Sequence, residues 1–302
     1  MRKDNRLIAC FVSLLSLYLL VIDARAQDPN IDRLSQELQS SDIGIRRKAV
    51  IALGRASYPQ SVTLLQVAMP QENNISIRLE IVRALRHIVF QRFPGYPEAM
   101  RALGQAASDD VERDELVRLR ASEALWEAAK KDLLDPVPFL QRNLDDKSTR
   151  IRLSSVQMLR KLGTPQTIDP LGRAALDKAQ NSKVRLEAIK AIGAVSLSDP
   201  GAIGRTIAAN NRRTTMLLGQ PPLINSGSTQ KRHERQIGYL AAVVGDAENS
   251  STLMLQAIKS MGQVKDLSAV AALKTIIETH SNPSVRKQAT RVLSHILARR
   301  YE

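Results

Sequence analysis

One pattern of polar and apolar positions recurs seven times along the chain. Each copy opens with Asn, Asp or Ser at its first position and has Ile, Val or Leu at its fourth. The fifth position is Arg in six copies. Three residues after it comes a small or apolar residue that opens an Ala/Leu/Ile-rich stretch. The copies begin at Asp42, Asn74, Asp114, Ser148, Asn181, Ser250 and Asn282. The fifth residue of each copy is separated from that of the next by 32, 40, 34, 33, 69 and 32 positions. The longest of these intervals is close to two ordinary repeats. A period in the thirties predicts an array of stacked repeats.

Each copy begins as a helix is expected to begin. Asn, Asp and Ser side chains accept hydrogen bonds from the free N–H groups of a helix's first turn. The aliphatic residue and the apolar residues four and eight positions later place a stripe on one helix face. In the first copy the stripe is Ile45, Ala49 and Leu53, and in the last it is Val285, Ala289 and Leu293. The small middle residue predicts close approach between neighbouring helices.

Weaker apolar stripes lie between these helices, for example Val62, Leu65 and Val67. Each unit is therefore predicted to be a helical hairpin, and neighbouring hairpins must stack to bury their apolar faces. Gly54, Gly193 and Gly262 follow the stronger stripes and are interpreted as helix stops.

The segments Asp42–Gly54 and Asn181–Gly193 both combine a capping residue, an aliphatic-Arg pair, an Ala and a final Gly. This pattern resembles HEAT repeats, most closely the short HEAT-like repeats of phycobilisome lyases. The resemblance covers nearly everything after the first thirty residues. It implies an all-α fold for residues 27–302, a right-handed α-solenoid of about eight HEAT-like helical hairpins with one degenerate hairpin at about 200–245. It says little about function, because HEAT arrays serve as scaffolds, adaptors and a few enzymes.

Residues 1–26 have the composition of a secretory signal peptide. Arg2, Lys3 and Arg6 give a positive start, residues 7–22 are mostly apolar, and Ala24-Arg25-Ala26 supplies the small residues that a signal peptidase recognises. Cleavage is expected before Gln27, which predicts a periplasmic or secreted protein, and the absence of cysteine from the mature chain favours a bacterial origin. The alternatives are an uncleaved anchor, for which a stretch of sixteen residues is short, and lipidation at Cys10, which lies early in the apolar run. The only cysteine lies in this segment, so the mature chain would form no disulfide.

Charge is distributed unevenly along the chain. The formal net charge is +14, and removal of residues 1–26 leaves 40 basic minus 28 acidic residues, or +12. Residues 107–146 contain 11 acids and 6 bases, whereas residues 205–235 contain 6 bases and 1 acid. A basic surface attracts anionic lipid, nucleic acid or an acidic protein, although such charge also serves simply to keep a long repeat protein soluble.

The Arg of the repeated motif is interpreted as structural. In HEAT-like arrays an Arg at this position pairs with an acid or a carbonyl of the neighbouring repeat, so the six copies predict a ladder. Its members are Arg46, Arg78, Arg118, Arg152, Arg185 and Arg286.

The candidate binding region lies where the repeat breaks, between Arg205 and Arg235. A Pro/Gly/Ser/Asn-rich stretch at 219–229 predicts a loop long enough to suggest a role, and the alternative is a tolerated insertion. The candidate binding residues are Arg212, Arg213, Leu223, Ile224, Lys231, Arg232 and Arg235.

No pattern of catalytic residues stands out. The four His residues lack metal-ligand spacing, and neither a phosphate-binding Gly loop nor a nucleophile elbow is present. Neither a catalytic residue nor a cofactor or metal site is therefore predicted. The favoured function is an exported non-enzymatic scaffold that binds a protein, and the alternative is a binder of an anionic polymer or membrane surface. An enzyme related to HEAT-like lyases or glycosylases is the third hypothesis, and specific nucleic-acid recognition is not expected because aromatic residues are only 3% of the chain.

Overall fold

The computed structural model describes residues 29–298, except 57, 132, 196–228 and 265. The predicted signal peptide and the candidate residues Arg212, Arg213, Leu223 and Ile224 therefore lie outside the described residues.

Fourteen α-helices and one short 3₁₀ turn make up the regular structure of the described residues, which contain no strand. The helices are α1 (Pro29–Glu37), α2 (Ile43–Arg55), α3 (Pro59–Gln71), α4 (Ile75–Gln91), α5 (Tyr96–Ala106), α6 (Glu115–Lys130), α7 (Val137–Asn143), α8 (Thr149–Leu162), α9 (Ile168–Leu176), α10 (Ser182–Ala194), α11 (Thr229–Gly245), α12 (Ser251–Met261), α13 (Ser268–Thr279) and α14 (Pro283–Ala298). The 3₁₀ turn is Pro165–Thr167. The all-α prediction is confirmed, while the count of eight hairpins stays a prediction.

The helices belong to two compact units, Met1–Leu103 and Gly104–Glu302, whose boundary falls within α5. In the first unit α2 packs extensively against α4, and α1 and α3 pack beside them. In the second unit the motif-bearing helices α6, α8, α10, α12 and α14 contact one another in succession, while α9, α11 and α13 form a second row. Within this unit the stacked hairpins share one continuous core.

The polar residue that opens each copy caps a helix in six of seven cases. Asp42, Asn74 and Asp114 each accept from two backbone N–H groups of the first turn. Ser148, Asn181 and Asn282 accept from one each. Ser250 makes no such side-chain hydrogen bond. The helix starts predicted from the sequence are therefore confirmed.

The predicted stripe is buried in almost every copy, and its middle residue is fully buried in all seven. The exceptions lie at the two ends of the described array. Ile45, in the first motif helix, is 41% exposed, and Leu293, in the last, is only partly buried. The weaker stripe of α3 is also partly wrong, because Val62 and Leu65 are buried whereas Val67 is 54% exposed.

The interpretation of the stripe glycines as helix stops is wrong for two of the three. Gly54 and Gly193 lie inside α2 and α10. A Cβ added to Gly54 would lie 2.6 Å from the Cβ of Ala84 on α4, and one added to Gly193 would lie 2.6 Å from the Cβ of Ser260 on α12. These glycines allow consecutive motif helices to touch. Gly262 does end α12, but with φ −66° rather than in the left-handed conformation.

Candidate binding surfaces

A short local motif precedes most of the motif helices. The side chain two positions before the cap accepts a hydrogen bond from the backbone N–H of the cap residue in five copies. The accepting residues are Ser40, Glu72, Glu112, Asp146 and His280. The three carboxylates among them are at most 8% exposed. This position was not predicted, although an acid lies two residues before the opening residue in four copies, the fourth being Glu248 before Ser250.

The motif Arg joins this position to the next repeat. Arg118 is 1% exposed and binds Asp146 with two hydrogen bonds, Nε to Oδ2 at 2.8 Å and Nη2 to Oδ1 at 3.0 Å. Its Nη1 donates to the carbonyls of Glu112 and Arg113, each at 3.0 Å. Because Asp146 also accepts from the N–H of Ser148 at 2.7 Å, one buried carboxylate ties the start of α8 to α6.

Arg46 forms the same arrangement in the first unit. Its Nε and Nη2 donate to Glu72 at 2.8 and 3.2 Å, and its Nη1 donates to the carbonyls of Ser40 and Ser41. Burial alone raises the pKa of Glu72. The hydrogen bonds from Arg46 and from the Asn74 backbone outweigh that effect and hold the pKa below its ordinary value.

Other members of the ladder have different partners. Arg185 donates to the carbonyl of Ala175 at 2.9 Å and to the amide oxygen of Asn249 at 2.6 Å. Arg286 donates to the two carbonyls that precede its own helix, and Arg152 donates to the Asp146 carbonyl and to Thr149. Arg78 occupies the equivalent place on α4 and is partly buried. These contacts connect loops and helix starts, which is a structural role.

A cleft of about 850 Å³ lies in the first unit, where it is lined by residues of α1, α2, α3 and α4 and of the loops that lead into α2 and α4. The Arg46–Glu72 pair forms part of its wall. Carboxamide side chains of Gln39, Gln71 and Asn73 also line it.

Two exposed aliphatic side chains line this cleft. Of the eight large hydrophobic side chains that are exposed among the described residues, four belong to the first unit. Ile43 and Val67 line the cleft and are 51% and 54% exposed. Ile45 and Ile75 lie at the N-terminal ends of α2 and α4. Neighbouring exposed apolar side chains such as Ile43 and Val67 are typical of binding surfaces, whereas isolated ones are common on any protein.

The candidate residues Lys231, Arg232 and Arg235 lie on α11, where all three line a pocket of about 200 Å³ together with Pro165, Gln166, Ile168 and Asp169. Arg235 is not a free cation, because its Nη1 lies 2.9 Å from Oδ2 of Asp169. The lining of this pocket therefore contains three cationic side chains and one carboxylate.

Several contacts fix α11 to its neighbours. Gln236 is fully buried and donates to the carbonyls of Ile192 and Val195 at the end of α10. His233 Nδ1 lies 3.0 Å from Oδ2 of Asp266. The Tyr239 hydroxyl donates to Asp169 at 3.2 Å, and burial together with that carboxylate raises its pKa. The basic face of α11 is therefore held on an anchored helix.

Within the described ranges, no cluster of three or more His, Cys, Asp or Glu side chains is arranged to hold a metal ion. Of the described helices, none has the length and apolar character needed to cross a membrane.

A family model of HEAT repeats matches residues 31–126 and 112–193, which together span more than half of the chain. The chain therefore belongs to the HEAT-repeat family, and the resemblance drawn from its motifs is confirmed. No curated protein matches the chain.

Solved structures similar to this chain include human deoxyhypusine hydroxylase in complex with glycerol, at 17% identity and a TM-score of 0.33, covering 94% of this chain and 99% of that one. The Escherichia coli protein YibA has 17% identity and a TM-score of 0.34 and covers 92% and 96% of the two chains. The complex of CpcE and CpcF of phycocyanin lyase from Nostoc has 19% identity and a TM-score of 0.28 and covers 78% and 94%. Likeness at this level says nothing about activity or partners.

Proposed function

We propose that this chain is an exported, non-enzymatic HEAT-repeat scaffold or adaptor that mediates protein–protein interaction in the bacterial cell envelope. Export rests on the charged, apolar and small-residue pattern of residues 1–26. Membership of the HEAT-repeat family supports a scaffold, since this architecture presents extended surfaces built from repeated helices.

The observation that carries the proposal is the cleft of the first unit with its exposed aliphatic side chains. Ile43 and Val67 each leave about half of their surface in contact with water. Burying apolar surface contributes about 25 cal/mol per Å². A protein partner that covers both side chains therefore gains binding free energy at this cleft.

A pull-down with the mature protein from the envelope fraction of its own cells tests the proposal. Val67→Arg places an unpaired charge at the cleft, and Leu267→Arg makes the same change at a residue of matched exposure, 55% against 54%. We expect the partner to be recovered with wild type and Leu267→Arg and lost with Val67→Arg. Equal recovery with all three would contradict a role for this cleft.

A second candidate function is binding to an anionic polymer or membrane surface through the basic C-terminal third. The observation that favours it is the pocket on α11 with its three cations. Anion binding should weaken steeply with added salt and should fail in a Lys231→Glu/Arg232→Glu variant that leaves the cleft intact. Recovery of a protein partner at high salt by that variant would favour the scaffold instead.

A further inference from the structure

The polar side chains that line the cleft of the first unit are suited to a main chain. Gln39, Gln71 and Asn73 line it and are exposed, and each carboxamide offers both N–H donors and an oxygen acceptor. A peptide group likewise has one N–H donor and one C=O acceptor, and both must be hydrogen-bonded when water is removed. A segment in extended conformation leaves both groups available, since it makes no internal hydrogen bonds of the helical kind.

The charged side chains of the cleft are already satisfied by one another. Arg46 and Glu72 form a two-pronged pair, and the two serine carbonyls occupy the remaining Arg46 Nη1 donor. The lining therefore offers neither sign of charge in excess. A charged ligand would lose its hydration without gaining a counter-charge, so charge complementarity selects an uncharged ligand.

The apolar part of the lining adds a preference for aliphatic side chains. Aliphatic side chains of the lining include Leu38, Ile43, Leu64 and Val67. In an extended segment alternate side chains point to the same side at about 3.3 Å rise per residue. Every second side chain of such a segment can therefore face the aliphatic wall while the main chain meets the carboxamides.

We propose that the cleft binds an extended, uncharged segment of a partner protein that carries aliphatic side chains at alternate positions. This inference rests on the proposed function and names the chemistry of the partner at that site. It differs from the anionic alternative, whose described candidate residues Lys231, Arg232 and Arg235 lie on α11 in the second unit.

The test is selection of a phage-displayed library of short random peptides on the mature full-length protein, followed by fluorescence polarisation of the most enriched peptide. We expect enriched peptides to lack Asp, Glu, Lys and Arg and to carry Ile, Leu or Val at alternate positions. Val67→Arg should weaken binding about tenfold or more because a charge is buried without a partner. Leu267→Arg should leave affinity unchanged, and added salt should have little effect.

A second variant tests the carboxamides separately. Gln71→Leu keeps the size of an exposed side chain but removes its donors and acceptor, and it should weaken binding about two- to tenfold. Circular dichroism of each variant checks that the helices remain.

Several outcomes would overturn the inference. They are the absence of any enriched peptide, enrichment of acidic or basic peptides, unchanged affinity with Val67→Arg, and self-association of the purified chain that Val67→Arg abolishes, which would make a second copy the occupant. If no peptide is enriched but the envelope pull-down still loses its partner with Val67→Arg, the peptide inference fails while the scaffold function stands. If the pull-down also shows no loss, both fail.

Discussion

The buried pair of Arg118 and Asp146 allows a quantitative prediction. Asp146→Asn keeps the shape of the side chain and removes the charge that balances Arg118, whose side chain is 1% exposed while that of Asp146 is 2% exposed. Removing one partner of a buried pair costs about 3–5 kcal/mol because the other charge is left uncompensated. Two backbone carbonyls still accept from Arg118 Nη1, so we expect a loss near the lower end, about 3 kcal/mol.

The assay is urea denaturation of the mature chain followed by far-ultraviolet circular dichroism, with the free energy of unfolding obtained from midpoint and slope. Because stacked repeats need not unfold in one step, native-state hydrogen exchange in α6 and α8 gives a local measure. The matched control is Asp169→Asn, which breaks the exposed pair with Arg235, where the side chains are 37% and 56% exposed. An exposed pair contributes about 0–1 kcal/mol.

A double-mutant cycle completes the test. Arg118→Met alone leaves Asp146 as the buried charge, and the double variant leaves neither charge. We therefore expect the double variant to be less destabilised than the sum of the two single variants by about 1–3 kcal/mol. The reasoning is refuted if Asp146→Asn costs no more than Asp169→Asn, or if the two single effects simply add.

Four further predictions follow from single sites. Leu125→Ala, at a residue 3% exposed, should lower the free energy of unfolding by about 2–5 kcal/mol, and a loss below about 0.5 kcal/mol in urea titration would mean that the stripe is misassigned. Gly54→Ala should destabilise the fold because the added Cβ has no room. Gly238→Ala in α11, where no atom lies within 4 Å of the added Cβ, should be neutral or stabilising by up to about 1 kcal/mol. Equal thermal midpoints of the two variants would contradict the close packing at Gly54. Because the pKa of Glu72 is lowered in the folded protein, its ionised carboxylate stabilises the fold at pH values above the unfolded pKa. This contribution to the free energy of unfolding should disappear as the pH falls through the folded pKa. The urea midpoints of wild type and Glu72→Gln should therefore converge in acid. Mass spectrometry of the native protein should find Gln27 as the first residue, and a full-length product would contradict cleavage.

The sequence was sufficient to predict most of the helical repeats. A capping side chain such as Asn74 acts on its own first turn, and a stripe such as that of α8 is buried by any neighbour of the same kind. Both are local or repeated properties, so one chain reveals them without knowledge of distant contacts. Even the ion pair between Arg118 and Asp146 has a local sign in the sequence, because Asp146 lies two positions before a capping residue.

The remaining features depend on which surfaces meet. Ile45 and Val67 fit apolar stripes, but the described first unit provides no neighbour that covers them. Gly54 looks like a helix stop in sequence, yet its role depends on Ala84, thirty residues away on the adjacent motif helix. The cleft could not be predicted at all, because it is a space left between four elements rather than a pattern along one of them.

The most direct test of the central claim is site-specific photo-cross-linking in intact cells. A photoreactive amino acid at Val67 lies in the cleft of the first unit, and the same group at Leu267 serves as the equally exposed control. We expect a discrete cross-linked protein at Val67 that is absent at Leu267. An identical pattern at both positions, or no cross-linked protein at Val67, would contradict it.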